Sequence, residues 1–315
     1  MSNPILEVAR PIRKRVDGLI GLARYREYLF FVVVTTLLGA AAARGSFGWD
    51  LIRVLFANWL GVAFAFMIND IEDASDDALN PAKAQRNPVS CSKVSHRLAR
   101  IATALVAVFA LLVYLSLGLL PFLTGLASIA LGFLYSWRPV RLKAIPVADL
   151  ISHCLMLAGL QFLAAYFTFG PHPGDPWLFP FVFVVTVSLY GELFNELRDF
   201  EGDRTAGLRH TASYLGPAWT HRVMMALLAV SVSAAIAAIV VDRLIPSWVL
   251  YVLGGAALVL LTRPVLGIRL DRPSAALHEP FQKPLEMAAA FALLAQFLGP
   301  WAAARINFAL LWTLH

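Results

Sequence analysis

The chain alternates between long apolar runs and shorter polar stretches. The runs lie at 27–44, 51–69, 101–118, 120–136, 147–169, 177–195, 222–241, 246–262 and 285–303. A bilayer hydrocarbon core of about 30 Å takes about 20 apolar residues in helical form. The pattern therefore predicts about nine transmembrane helices in one all-α bundle. The third and fourth runs are parted only by the stretch Leu117-Gly-Leu-Leu-Pro121, and Pro171, Pro173, Pro176 and Pro246 mark other turns. The expected organisation is a single membrane domain over 1–315, with 1–26 as a basic N-terminal segment.

Composition removes the soluble alternatives. Hydrophobic residues make up 59% of the chain, charged residues 15%, and mean hydropathy is +0.69. Soluble domains run about 45–50% apolar and about 25% charged. A soluble globule, a disordered chain and a disulfide-stapled secreted module are excluded. Cys91 and Cys154 form neither a disulfide framework nor a zinc spacing and are expected to be free thiols. Arg10, Arg13, Lys14 and Arg15 precede the first run without a small-residue cleavage site, so the segment is not read as a removed signal peptide.

Charge sets the orientation. With nine spans, segments 1–26, 70–100, 137–146, 196–221 and 263–284 share one side and hold 21 of the 26 Lys and Arg residues. The other side has only Arg44, Arg53, Arg243 and Arg305, while Arg222 stands at a helix start. The positive-inside rule then expects a cytoplasmic N-terminus and a C-terminus on the opposite side. A basic cytoplasmic face accounts for the net charge of +6 without a nucleic-acid partner.

The acids are concentrated where two runs end on that basic side. Nine of the 20 Asp and Glu residues fall within 69–77 and 195–203. An offset of 126 superposes Asn69 on Asn195, Asp70 on Glu196, Asp73 on Asp199 and Asp77 on Asp203, and then Lys83 on Arg209. Spacings of three and four keep such residues on one helical face. Two helix ends of this kind, facing each other, make an acidic cup at the membrane surface. Like charges so close need cations. Oxygen ligands without Cys or His suit Mg²⁺, which takes one or two carboxylates and completes its shell with water and substrate phosphate. The expected ligand is a diphosphate bridged by Mg²⁺. Asp70, Asp73, Asp77, Asn195, Glu196, Asp199 and Asp203 are the candidate metal ligands. Asn69, Lys83, Arg86, Arg138, Arg141, Lys143, Asn195, Arg204 and Arg209 are the candidate diphosphate contacts.

Each feature also has a plainer reading. A single acidic cluster at a helix end is usually a solvated loop; the shared register and shared side argue against that here. Asp76 and Glu201 lie off the register and read as solvated or loop-pairing, and Glu72 fits either role. Arg138-Pro-Val-Arg141-Leu-Lys143 could merely obey the topology rule. Asp149, one turn before His153, reads as a structural hydrogen-bond partner more than a catalyst. Trp177, Phe179, Phe181 and Phe183 read as an interfacial anchor or core packing.

At the paired motifs the sequence resembles the UbiA superfamily of intramembrane prenyltransferases, which has nine transmembrane helices and the motifs Asn-Asp-x-x-Asp-x-x-x-Asp and Asp-x-x-x-Asp. Asn69, Asp70, Asp73 and Asp77 complete the first, and Asp199 and Asp203 supply the second. The basic loop Asn80 to Pro88 is similar to the family's, although Asn87 interrupts its Arg-Pro element and Ser92 stands where glycine is more usual. Tyr135-Ser-Trp-Arg138-Pro-Val-Arg141-Leu-Lys143 is similar to its aromatic-basic loop, and 207–216 to the stretch after its second motif. The resemblance implies catalytic roles for Asp70, Asp73, Asp77, Asp199 and Asp203. It also implies an isoprenyl diphosphate on Mg²⁺ between the motifs, with its tail among the helices. The allylic cation would be attacked by an aromatic, quinone-precursor or lipid acceptor. The aspartates alone do not separate prenyl transfer from a terpene cyclase on the same scaffold, which needs no acceptor. An ion transporter is a third possibility, disfavoured because transporter sites sit near the bilayer midplane. Asn58, Asp149, His153, Gln161, Tyr190 and Glu192 are the polar candidates for an acceptor pocket, with Asp149 or Glu192 as proton acceptor.

Overall fold

The computed structural model describes residues 15–205, 209–244 and 283–313, with scattered positions between 248 and 258. The described elements are helical. A bent first segment, α1 (Arg15–Glu27), meets α2 (Leu29–Ala42) at 56°. After it come α3 (Trp49–Asp77), the short α4 (Pro81–Arg86), α5 (His96–Leu115) and α6 (Leu119–Ser136). The chain continues with α7 (Ala148–Cys154), α8 (Leu160–Thr168), α9 (Leu178–Thr205), the short α10 (Thr211–Leu215), α11 (Pro217–Val240) and α12 (Lys283–Thr313). Seven helical segments are long and apolar enough to cross a membrane, and an eighth results if α1 and α2 form one bent span. The expected span at 246–262 lies largely outside the described residues, so the count of nine is not reached among those described.

Two helices outrun their apolar stretches. α3 has 29 residues and α9 has 28. At 1.5 Å per residue each is about 42 Å long or more, against a hydrocarbon core of about 30 Å. The excess carries the acidic motifs, which are helical and continuous with the membrane spans. Pro81 starts α4 after the turn at Leu79 and Asn80, which ends the first extension.

The run at 147–169 is one span but not one helix. Between α7 and α8 the backbone widens into a π turn at Leu155–Gly159. Its Met156 carbonyl accepts from Ser128 Oγ at 3.0 Å and Gln161 Nε2 at 3.3 Å. Side chains thus satisfy a carbonyl that a π turn displaces from the regular ladder. Nearby, Asn58 donates to Thr36 Oγ1 at 2.8 Å and to the Gln161 carbonyl at 3.0 Å, and accepts from Tyr114 at 2.7 Å. This knot joins α2, α3, α5 and α8 in the apolar interior.

Small residues set the helix spacing, as they do when bilayer-facing helices pack by van der Waals contact. A Cβ on Gly39 would collide with the Phe162 carbonyl of α8, and one on Gly125 with the Tyr114 ring. Large apolar side chains point outward instead. Leu105, Phe109 and Leu112 on α5, and Val232, Ile236 and Val240 on α11, are exposed at helical spacing. α3 and the α7–α8 pair form the more buried interior, with α12 packed against α2 and α11 against α9.

Candidate active site

The first motif divides into a buried anchor and an accessible rim. Asp70 is fully buried and held by the Arg24 guanidinium, whose Nε lies 3.2 Å from Oδ2 and whose Nη2 bonds Oδ1. Asn87, also fully buried, donates to the Asp70 carbonyl at 2.8 Å and to Asp77 Oδ2 at 2.9 Å. Its own oxygen accepts from the backbone N–H groups of Val89 and Ser90. Asn87 therefore pins the basic loop beneath the motif. One turn beyond Asp70, Asp73 accepts from Lys143 Nζ at 2.5 Å and from Arg141 at 3.3 Å. The same Lys143 donates to Asn69 Oδ1 at 2.8 Å, which also accepts from Ser136 Oγ at 3.3 Å. Arg138 and Arg141 both reach Asp76, at 2.9 and 3.0 Å, and Arg138 also bonds the Glu72 carbonyl and Ser75. The 137–146 loop thus lies across the first motif. This is closer engagement than a topology signal requires.

The second motif repeats the division. Glu196, the register partner of Asp70, is buried; its Oε2 accepts from the Ala212 N–H at 2.7 Å and lies 3.3 Å from His210 Nδ1. Asp199, the register partner of Asp73, sits on the rim at 37% exposure with Arg198 beside it at 3.1 Å. Asp203 lies on α9, but its side chain is outside the described residues. In both halves the first acid is buried and engaged by a neighbouring element, Arg24 of α1 for Asp70 and Ala212 of α10 for Glu196, while the next one is partly exposed. The off-register Asp76 is a loop-pairing residue, and Glu201 is exposed.

Several expected contacts take specific places. Arg86 pairs with Glu27 at 2.7 Å, joining the first basic loop to α1. Lys83, Arg204 and Arg209 are exposed, and Asn195 is half-buried one residue before Glu196. Asp149 does not pair with His153. It is fully buried and accepts from the Thr211 N–H at 2.6 Å, Thr211 Oγ1 at 2.5 Å and the Leu150 N–H at 2.6 Å. His153 pairs instead with Glu192, at 3.1 Å. Cys91 and Cys154 are free. Sequence reasoning missed the roles of Arg24 and Thr211, which act across 46 and 62 residues, and of Asn87, which acts across 10 and 17. Ser92 has φ 56°, in the left-handed region that favours glycine, which accounts for the more usual residue there.

Among the described residues no three Asp, Glu, His or Cys side chains converge into a ready-made metal cage. That suits Mg²⁺, which is bound by one or two carboxylates plus substrate phosphate in place of an all-protein cage. The donors at the rim are carboxylate and amide oxygens, the chemistry Mg²⁺ prefers.

Comparison with known proteins agrees with this architecture. The model of the UbiA prenyltransferase family matches residues 32–281. A lycopene elongase/hydratase of Haloarcula japonica is 33% identical over 231 residues, covering 70% of this chain and 74% of that protein. A digeranylgeranylglyceryl phosphate synthase of Methanothermobacter thermautotrophicus is 24% identical over 205 residues, covering 65% of this chain and 64% of that protein. The structure of a UbiA homolog from Archaeoglobus fulgidus bound to GPP and Mg²⁺ superposes with a TM-score of 0.63 at 22% identity, over 88% of this chain and 99% of that one. The apo UbiA homolog from Aeropyrum pernix K1 superposes with a TM-score of 0.68 at 20% identity, over 87% and 98%. With the paired acidic helix ends already in place, the match over most of its length shows that the chain is a polytopic membrane protein of the UbiA prenyltransferase family.

Proposed function

We propose that this protein is a Mg²⁺-dependent intramembrane prenyltransferase that moves an isoprenyl group from an isoprenyl diphosphate to a hydrophobic acceptor. The observation that carries this reading is the interleaving of oxygen and cationic groups at one rim. Lys143 Nζ lies within 2.8 Å of both Asn69 and Asp73, and Arg141 touches both Asp73 and Asp76. A metal–diphosphate pair needs both kinds of group within one reach. Asp73, Asp77, Asp199 and Asp203 are the residues assigned to Mg²⁺, while Asp70, Asn195 and Glu196 hold the surrounding shell. Bound there, Mg²⁺ would supply charge stabilisation to the leaving diphosphate. Lys83, Arg86, Arg138, Arg141, Lys143, Arg204 and Arg209 would orient the same group and neutralise it as the allylic C–O bond breaks. The rim is assigned to the cytoplasm on the distribution of basic residues.

An apolar acceptor fits the interior. Asn58 spends its amide on the helix knot and Gln161 its Nε2 on the π turn, while the buried Gln161 Oε1 has no partner among the described residues. Two relatives, at 33% and 31% identity, are named lycopene elongase/hydratase, which makes lycopene the first acceptor to try. The test incubates purified protein and Mg²⁺ with dimethylallyl, geranyl, farnesyl or geranylgeranyl diphosphate, with and without lycopene or a membrane-lipid extract. Transfer expects diphosphate release that depends on the acceptor, and a product heavier than that acceptor by one prenyl group. Acceptor-independent release giving a cyclic hydrocarbon or alcohol would overturn the reading in favour of a cyclase.

A further inference from the structure

One turn toward the membrane interior from the second motif, three helices bring together a buried acid, an imidazole and a phenol. Glu192 on α9 precedes Glu196 by four residues and lies on the same helical face. Tyr135, at the end of α6, donates to Glu192 Oε1 at 2.6 Å. His153 Nε2 on α7 lies 3.1 Å from Glu192 Oε2. The group adjoins the rim, since Ser136 beside Tyr135 bonds Asn69. No Lys or Arg is paired with Glu192 among the described residues; its partners are the two aromatic side chains.

These contacts assign the tautomer. An ionised carboxylate only accepts hydrogen bonds, so a neutral His153 carries its hydrogen on Nε2 and leaves the lone pair on Nδ1. That Nδ1 is buried and has no hydrogen-bond partner. An unpaired buried polar atom is unfavourable to folding. The ring itself keeps 15% exposure. A carboxylate holding one imidazole nitrogen while the other is left basic is the arrangement of a general base.

We propose that His153 is the proton acceptor of the transfer reaction, with Glu192 and Tyr135 as its positioning residues. The inference rests on the prenyl-transfer reading of the same site. The allylic C1–O bond breaks with its electron pair going to the diphosphate. An electron pair of the acceptor forms the new bond to C1. The acceptor's C–H or O–H bond then breaks, its pair staying with the acceptor, and the proton goes to His153 Nδ1. Glu192 stabilises the resulting imidazolium through Nε2–H. The group lies one helical turn inward of Glu196 and beside Ser136, which bonds Asn69 of the rim. Asp149 on α7 is spent on Thr211 and Leu150, and Glu196 on the 210–212 loop, which leaves this pair to take the proton.

The experiment compares wild type with His153→Gln, Glu192→Gln and Tyr135→Phe, using geranylgeranyl diphosphate, Mg²⁺ and lycopene or a membrane-lipid extract. Pyrophosphate competition is measured in parallel. Both dyad variants are expected to lose about a hundredfold in kcat, the usual contribution of a positioned base, with pyrophosphate competition and diphosphate KM unchanged. Tyr135→Phe is expected to be milder. Any acidic limb in the wild-type pH–kcat profile should vanish in His153→Gln. Glu192 contacts the imidazole directly, while Glu196 and Asp149 act electrostatically on Tyr135 and Arg198 on the Glu192 carboxylate. Imidazole added to His153→Ala should restore part of the rate. Wild-type kcat in either dyad variant, or an acidic limb that survives in His153→Gln, overturns the proposal. A wild type that turns over no prenyl diphosphate with any acceptor overturns the functional reading itself.

Discussion

Lys143 is the side chain on which the rim of the first motif converges, because among the described residues it alone bonds both Asn69 and Asp73. Charge-assisted hydrogen bonds are worth roughly 1.5–3 kcal/mol each. Lys143→Ala is therefore expected to weaken pyrophosphate competition or turnover by about ten- to a hundredfold. Asp76→Ala removes exposed pairs, which contribute about 0–1 kcal/mol, and is expected to cost less than about fivefold. Arg86 separates two roles. Its pairing with Glu27 leaves Nε and Nη1 without a bond to that carboxylate. A diphosphate role expects Arg86→Ala to weaken pyrophosphate competition about tenfold and Glu27→Gln to leave it intact. Equal, small effects of both changes would reduce Arg86 to a tether for α1. Asp149→Ala would strand three buried donors. At about 1–3 kcal/mol apiece, the expected result is a lowered Tm in detergent, beyond any effect on chemistry. Residues at this scale were partly legible. The motif register grouped Asp73 and Asp199 with Asp70 and Glu196, whereas the structure buries the latter two and leaves the former partly exposed. Burial separates these classes, and burial depends on partners such as Arg24 and Thr211 that no local spacing announces.

α7, the π turn and α8 mark where hydropathy stops being informative about elements. The run at 147–169 has the length and composition of an ordinary span, and nothing in its periodicity signals the widened turn at Leu155–Gly159. The turn depends on donors from α6 and α8, which are tertiary facts. Hydropathy alone ends the second run at residue 69; the three- and four-residue spacing of the acids carries the helix further, and α3 continues to Asp77, since Asp and Glu do not end a helix without a breaking residue. Close approach of α2 and α8 is the element-scale feature most open to test. A Cβ at Gly39 meets the Phe162 carbonyl, which cannot move aside as a flexible side chain could. Gly39→Leu should destabilise the fold by about 1–3 kcal/mol, as overpacking does, measured as a fall in Tm. An unchanged Tm would mean that the two helices do not pack this closely.

The charge pattern assigns the basic loops and both acidic helix ends to one side of the bilayer, because a bilayer forces apolar length and positive loops on any chain that spans it. Labelling can check the sidedness. In a variant lacking Cys91 and Cys154, Leu79→Cys should react with an impermeant maleimide only from the cytoplasmic side, and Trp49→Cys only from the other. Both positions are highly exposed, at 86% and 77%. The central claim, that two facing helix ends make one metal–diphosphate site, is tested most directly by Mg²⁺-dependent turnover of Asp73→Ala, Asp199→Ala and the double variant in inserted, folded protein. If the motifs act as a unit, each single change removes most of the activity and the double change adds little, because residues of one site are not additive. Near-normal turnover in either single variant, or losses that simply multiply in the double, would contradict a shared site.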